Sequence, residues 1–368
     1  MNDISYFQDI PKLSIKFLEK LKQDSKFQYL PVINSNTTIG KKINMGYNCY
    51  AIKLYKLSNE WDNLDKTYRS QWSNYLLNFQ KHNNNQLKNY FIDPELIKYF
   101  DKNISIYNVK NLTKSTLNKF LKKDYELKQR HIFKTLNADS KQTISTLSEI
   151  DFQIQNSPIK FFNEYSCVEE YLNSYNWSKP WDAGAQFSSI SVYNSTFDLN
   201  LENNLINFIE SKLDHETGSY FDSKPESSRQ VINGAMKVIS GLDWLNRPVH
   251  LPEKLIDFCL NNKPEFEGCD LVDYVYVLYK CSIQTNYRKK EILQIFHEVL
   301  DYLTLLYHKE ENGFSYYVNK SQTHYYGVEI SKGKNTPDIH GTILSIWAVV
   351  MILTLFEKNP YEYNIIKP

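Results

Sequence analysis

From residue 336 the chain reads "TPDIHGTILSIWAVVMILTLF", an Asp-x-His pair ahead of fifteen almost wholly apolar residues, Thr342 to Phe356. A spanning helix needs about 20 consecutive apolar residues, and this run stops at Glu357-Lys358-Asn359-Pro360. A helix that is apolar all round in a globular chain is one packed on every side. The pattern therefore predicts a buried strut, and the remaining sequence has to say what encloses it.

Three segments repeat one form, an amphipathic helix running into a turn with an aromatic pair: "WSNYLLNFQKHNNNQLKNYFIDPE", "NLINFIESKLDHETGSYFDSKPE" and "VLDYLTLLYHKEENGFSYYVNKS". With Phe91, Phe221 and Phe314 taken as equivalent, the separations are 130 and 93 residues, close to three and two copies of a unit of 43 to 47 residues. The intervening turns then fall near 135, 178 and 267, at "TLNADSKQ", "NWSKPWDAG" and "EFEGCDLVD". These are rich in the residues that stop one helix and cap the next. A two-helix unit of that length along the chain predicts a helical repeat array, an open solenoid or a closed ring.

The two helices of each unit differ. Those before the turns, roughly 72–80, 118–134, 166–174, 203–213, 253–262 and 292–307, are amphipathic, as an outer layer requires. Those after them, including "GAQFSSISVY", "INGAMKVISGL", "LVDYVYVLYKC" and "GTILSIWAVVMIL", are far more apolar and fit an inner layer. The expected fold is an all-α (α/α) toroid of about six hairpins around a central cavity. Residues 61–368 form it, and 1–60 supply N-terminal helices packed against it. Turns are expected near 91, 136, 180, 221, 268 and 314, each followed by an inner helix.

Composition narrows the partners. The chain has 368 residues, 43 basic and 42 acidic, so its net charge of +1 gives no field to gather nucleic acid or an anionic membrane. The start "MNDISYFQDIPKL" has no basic stretch leading into an apolar run. Five cysteines, at 49, 167, 259, 269 and 281, form no CxxC pair. A cytoplasmic protein with reduced thiols and no transmembrane segment is expected.

If all inner helices run one way, their N-termini gather at one rim, each with free N–H groups and a partial positive charge that attracts anions. The polar residues beside the apolar helices cluster at that end: Gln142, Asp182, Gln186, Arg229, Asn233, Lys237, Asp270, Asp273, Asp338 and His340. Asp273 lies inside "LVDYVYVL", where it has no helix end to cap, so its burial points to a functional or ion-paired role. Asp338 and His340 are either a helix cap and a first-turn residue or catalytic groups, His340 then being a proton carrier near neutral pH. Asp182 is an N-cap or a catalytic carboxylate. Arg229 and Lys237 bind an anionic substrate or pair with acidic neighbours. The loop "QTHYYGVE" offers His324, Tyr325 and Tyr326 as a lid. Cys269 stands one helical turn before Asp273 and completes, with His340, one possible metal-ligand set. Asp182, Asp273 and His340 are expected to converge on one cavity.

The turn forms "ETGSYFD" and "ENGFSYY", followed by "CDLVDYVYVLYKC" and "TPDIHGTILSIW", resemble the repeat and active-site segments of the protein prenyltransferase and terpenoid cyclase toroids. In prenyltransferase β subunits, a Leu-Val-Asp-x-Cys and an Asp-x-x-His-Thr segment supply an Asp, Cys and His zinc site. Carried across, the resemblance makes Asp273 and His340 zinc ligands. Val275 stands at the Cys position, His340 is followed by Gly341 before Thr342, and no Asp-x-Asp-Asp cyclase motif occurs. Three readings follow. One is an enzyme on an isoprenoid or other anionic substrate held by Arg229 and Lys237. The second is a glycan hydrolase or lyase with Asp182 and Asp273 as the acid and base pair and Trp181 stacking a sugar. The third is a non-catalytic ligand-binding toroid.

Overall fold

The computed structural model describes residues 4–23, 26–81, 87–102, 128–158 and 165–368. It is all-α. Among the described residues the helices are α1 (Ser5–Gln8), α2 (Ile10–Leu21), α3 (Met45–Leu57), α4 (Lys66–Leu77), α5 (Pro94–Lys102), α6 (Lys128–Glu149), α7 (Val168–Asn173), α8 (Pro180–Phe197), α9 (Glu202–Glu210), α10 (Ser228–Trp244), α11 (Pro252–Asn261), α12 (Cys269–Ser282), α13 (Lys289–Leu306) and α14 (Ile339–Leu355). Two antiparallel ladders of two-residue strands, β1 (Tyr307–His308) with β2 (Gly313–Phe314) and β3 (His324–Tyr325) with β4 (Val328–Glu329), lie between α13 and α14.

Neighbour contacts run from α3 to α6, α8, α10, α12 and α14 in turn, and α14 then contacts α3. Against this circuit α2 packs on α3 and α14, α7 on α8, α9 on α7 and α8, α11 on α12, and α13 on α12 and α14. The two helix types behave as their sequences require. The outer α13 buries one stripe, Ile292, Phe296, Val299, Leu300, Leu303 and Leu306, whereas α14 buries residues on every side from Ile339 to Leu353. The apolar stretch of the opening motif is this strut, and among the described residues no helix is long and apolar enough to cross a membrane.

Between outer and inner helices the chain pinches back on itself through similar antiparallel pairs: Lys22 with Tyr29, Gln80 with Phe91, Leu213 with Tyr220, and Tyr307 with Phe314. This is the structural basis of the aromatic turn repeat. It shifts one equivalence by a residue, because Tyr220 is fully buried in the pinch and Phe221 is not.

Two expectations are corrected. The turn placed near 136 does not occur, because α6 runs unbroken through "TLNADSKQ". Its turn-like residues instead spend their polar groups on neighbours: Asn137 donates to Gln186 Oε1 at 2.8 Å, Ser140 Oγ accepts from the Phe91 N–H at 3.1 Å, and Asp139 accepts from the Tyr325 hydroxyl. The outer helix expected over 118–134 falls largely outside the described residues. The N-terminal stretch is also not an addition to the array, since α3 stands in the circuit between α14 and α6.

The closest helix approach is between α8 and α10. A Cβ at Gly234 would lie 2.6 Å from Pro180 Cβ, and one at Gly241 would lie 2.7 Å from the Phe187 ring. Gly234→Ala therefore has to push α8 and α10 apart, and overpacking of this kind costs about 1–3 kcal/mol. A lowered melting temperature is the expected result, and an unchanged one would show that the contact is slack.

Candidate functional site

All six circuit helices line one cavity of ≈ 390 Å³. The contributions follow helical spacing: Ala138, Lys141, Gln142 and Ser145 from α6, Cys269, Val272 and Asp273 from α12, and His340, Ile343, Leu344 and Trp347 from α14. Tyr50 and Lys53 come from α3, Ala185, Ser188 and Ser189 from α8, and Met236 and Lys237 from α10. Gln322, Tyr325 and Tyr326 reach in from the loop before α14, and Ile366 and Pro368 line the cavity from the tail, where Trp244 Nε1 donates to the Pro368 carbonyl at 3.0 Å.

Asp273 is 2% exposed, and among the described residues its Oδ2 has no hydrogen-bond partner. Burial pushes its carboxyl up to about 6, with Lys237 pulling the other way. His340 lies between Tyr50, stacked at 4.7 Å, and Tyr316, at 5.2 Å, and its Nδ1 is unpartnered. Burial, helped by the Lys237 charge, pushes the imidazole down to about 3. The ring is neutral near pH 7, so the expectation of a proton carrier there is corrected. Lys53 donates to Ser145 Oγ at 3.1 Å. Among the described residues no carboxylate lies within ion-pair distance of Lys53, Lys141 or Lys237. Burial lowers the Lys53 amine, and burial together with Lys53 and Lys237 lowers that of Lys141 well below the ordinary lysine value.

Of the residues singled out by sequence, Gln142, Lys237, Cys269, Asp273, Tyr325, Tyr326 and His340 share this cavity. Asp182 does not join them: its side chain is 63% exposed and pairs with Lys134 at 2.9 Å. Asp273 and His340 both line the cavity, and Asp182 does not, because it sits in the first turn of α8 facing outward. Arg229 is exposed, ion-paired to Asp270 at 2.7 Å and stacked on Trp181 at 4.9 Å. Asn233 donates to the same Asp270 at 2.7 Å. Gln186 accepts from Asn137 and from the Tyr171 hydroxyl at 3.0 Å, behind the cavity wall. His324 is exposed and bonded to Thr323.

Asp338 is a structural cap. Its Oδ1 accepts from Gly341 N–H at 2.7 Å, and its Oδ2 from Tyr316 and Gln322 N–H at 2.8 and 3.0 Å. It thereby fixes the start of α14 and with it His340.

Zinc does not fit these residues. Among the described residues no group of three His, Cys, Asp or Glu side chains is placed to hold a metal ion. Cys269 Sγ is bonded to the Tyr316 hydroxyl at 3.1 Å, and burial pushes its thiol up to about 11, away from the thiolate that a zinc ligand requires.

The sequence reading missed Lys53 and Lys141. Lys53 lay in a stretch assigned to peripheral helices, and Lys141 next to a turn that does not form. The signal was present in "AIKLYKL" and "DSKQTIS", where a lysine faces inward on an otherwise apolar or small-residue helix face.

No family model, curated protein or solved structure matches the chain.

Two stability measurements test this geometry. Asp338→Ala removes the acceptor of the buried Gly341 N–H and of the part-buried Tyr316 and Gln322 N–H groups, the buried one alone at about 1–3 kcal/mol, so a fall in melting temperature is expected. An unchanged melting temperature would remove the capping role. Asp139 is fully buried, and burial pushes its carboxyl up to about 7, against the Tyr325 hydroxyl bond. A carboxyl whose folded pKa is raised binds its proton more tightly in the native state, so its contribution is present below about 4 and is lost as pH rises to about 7. Asp139→Asn is expected to flatten that loss, on the order of 4 kcal/mol at about 1.4 kcal/mol per unit. Parallel stability–pH curves for the two proteins would contradict it.

Proposed function

We propose that the helix circuit is an (α/α) toroid enzyme related in design to the prenyltransferase and terpenoid cyclase toroids, acting on an anionic small molecule with an apolar body. The observation that carries this reading is the set of three lysines, Lys53, Lys141 and Lys237, entering one cavity from three helices with no carboxylate among the described residues within ion-pair distance. Buried charges are costly unless paired, and a diphosphate or similar anion would supply the pairing. Met236, Val272, Ile343, Leu344 and Trp347 offer an apolar wall for the rest of the ligand. Lys237 keeps the anion-binding role expected of it, and Lys53 and Lys141 take the place of Arg229.

Asp273 is the acid–base group of this reading. Raised to about 6, it is mostly carboxylate at pH 7 yet has a stronger proton affinity than an ordinary aspartate. Neutral His340, clamped between Tyr50 and Tyr316, acts as a hydrogen-bonding group that orients the ligand. The glycan reading needs two carboxylates across one substrate, and Asp182 lies outside the cavity.

Thermal unfolding with farnesyl diphosphate, inorganic pyrophosphate and an oligouronate tests the reading. A ligand present at a hundred times its Kd stabilises by about 2.7 kcal/mol. Farnesyl diphosphate is expected to raise the melting temperature most and pyrophosphate less, with Lys237→Gln abolishing both shifts. A shift with the oligouronate alone would favour the glycan reading, and no shift with any of the three would overturn anion binding. Asp273→Asn is expected to keep the shift while losing turnover, and turnover unaffected by that change would remove Asp273 from the chemistry.

A further inference from the structure

The cavity holds three amines, and their surroundings differ. Lys53 has the Ser145 hydroxyl as an acceptor at 3.1 Å, and Glu149 favours its charged form. Lys237 acts on the Asp273 carboxylate. Among the described residues Lys141 has neither a hydrogen-bond acceptor nor a carboxylate within ion-pair distance, and it lies close enough to Lys53 and Lys237 to be repelled by both. Lys53 is buried and Lys141 and Lys237 are half-buried, and amines that share one cavity repel one another, so the arrangement costs least when the one without a counter-charge gives up its proton. A desolvated lysine beside other cations is the setting in which an amine becomes a nucleophile.

Position fits the same role. Lys141 sits mid-way along α6, between Ala138 and Ser145 on the cavity stripe. Ala138 and the serines of α8 are small, which leaves room at the wall for a ligand carbon to approach.

We propose that Lys141 forms an imine with an aldehyde or ketone whose anionic group is held by Lys53 and Lys237. This rests on the reading that the cavity binds an anionic small molecule, and it makes that molecule a carbonyl compound. The Lys141 Nζ lone pair attacks the carbonyl carbon. A C–N bond forms as the C=O π pair moves to oxygen. A proton passes from nitrogen to that oxygen to give the carbinolamine. The hydroxyl then leaves as water while the nitrogen lone pair closes the C=N bond and the remaining N–H proton is lost. Amine and carbonyl give imine and water, with no oxidant or reductant. Asp273, the carboxylate of the cavity wall, is the group available to carry the protons.

The test uses the full chain with glyoxylate, a small anionic aldehyde, and with pyridoxal 5′-phosphate, each trapped with cyanoborohydride at pH 7 and followed by intact mass and peptide mapping. An ordinary lysine is neutral to about one part in 2,500 at that pH, so labelling at low reagent concentration is expected to fall first on Lys141. Pyrophosphate is expected to protect it in the unaltered protein. Lys141→Arg removes the primary amine and is expected to lose the adduct. An adduct that is spread over exposed lysines, or that persists in Lys141→Arg, would overturn the proposal. A pyrophosphate shift without a Lys141 adduct sinks imine formation alone. An adduct at Lys141 without any pyrophosphate shift or protection sinks the anion reading and leaves the nucleophile standing.

Discussion

The arrangement depends on the seam where the last circuit helix meets the first. There α14 is tied down before it begins: the Ile339 N–H donates to the Pro31 carbonyl at 3.0 Å, Val32 pairs with Asp338, and Asp338 collects the N–H groups of Tyr316, Gln322 and Gly341. His340 then stacks on Tyr50 of α3. The Asp338 carboxylate thus joins the loop before α14 to the start of α14, while the backbone of Asp338 and Ile339 pairs with the segment before α3.

The helix content and the division into amphipathic and wholly apolar helices were legible because burial on one side or all sides leaves a periodic signature. The aromatic turn repeat was legible because the pinch places one ring of each turn in the core. What misled was turn chemistry. Asn137, Asp139 and Ser140 look like a helix stop, yet in α6 their side chains satisfy the Gln186 amide, the Tyr325 hydroxyl and the Phe91 N–H. These partners lie 49, 186 and 49 residues away in the chain, and no local rule registers them.

At the site, Asp273 and His340 stood out as polar residues against apolar helices. Asp182 and Asp338 stood out for the same reason, and composition alone cannot tell the four apart. The difference is orientation: Asp182 turns outward to Lys134, Asp338 is consumed by backbone donors, and Asp273 keeps an oxygen without a partner. Arg229 was a natural anion ligand by charge, but an exposed guanidinium already held by Asp270 and Trp181 has little left to offer.

The treatment of charge elsewhere in the chain sharpens the meaning of the cavity. Lys212 is buried and meets Asp222 at 2.8 Å, and Lys280 meets Asp243 at 2.7 Å. Asp93 is 1% exposed and takes the N–H groups of Asn44 and Met45 at 2.7 and 3.0 Å. Where charge serves the fold, it has a partner, as the cost of desolvation demands. Among the described residues the lysines of the cavity lack a carboxylate within ion-pair distance, and Asp273 Oδ2 lacks a hydrogen-bond partner, in one shared cavity. Among the same residues Lys53 has only the Ser145 hydroxyl. A ligand that brought an anion to the amines and a hydrogen-bond donor to Asp273 would supply the partners that the fold does not.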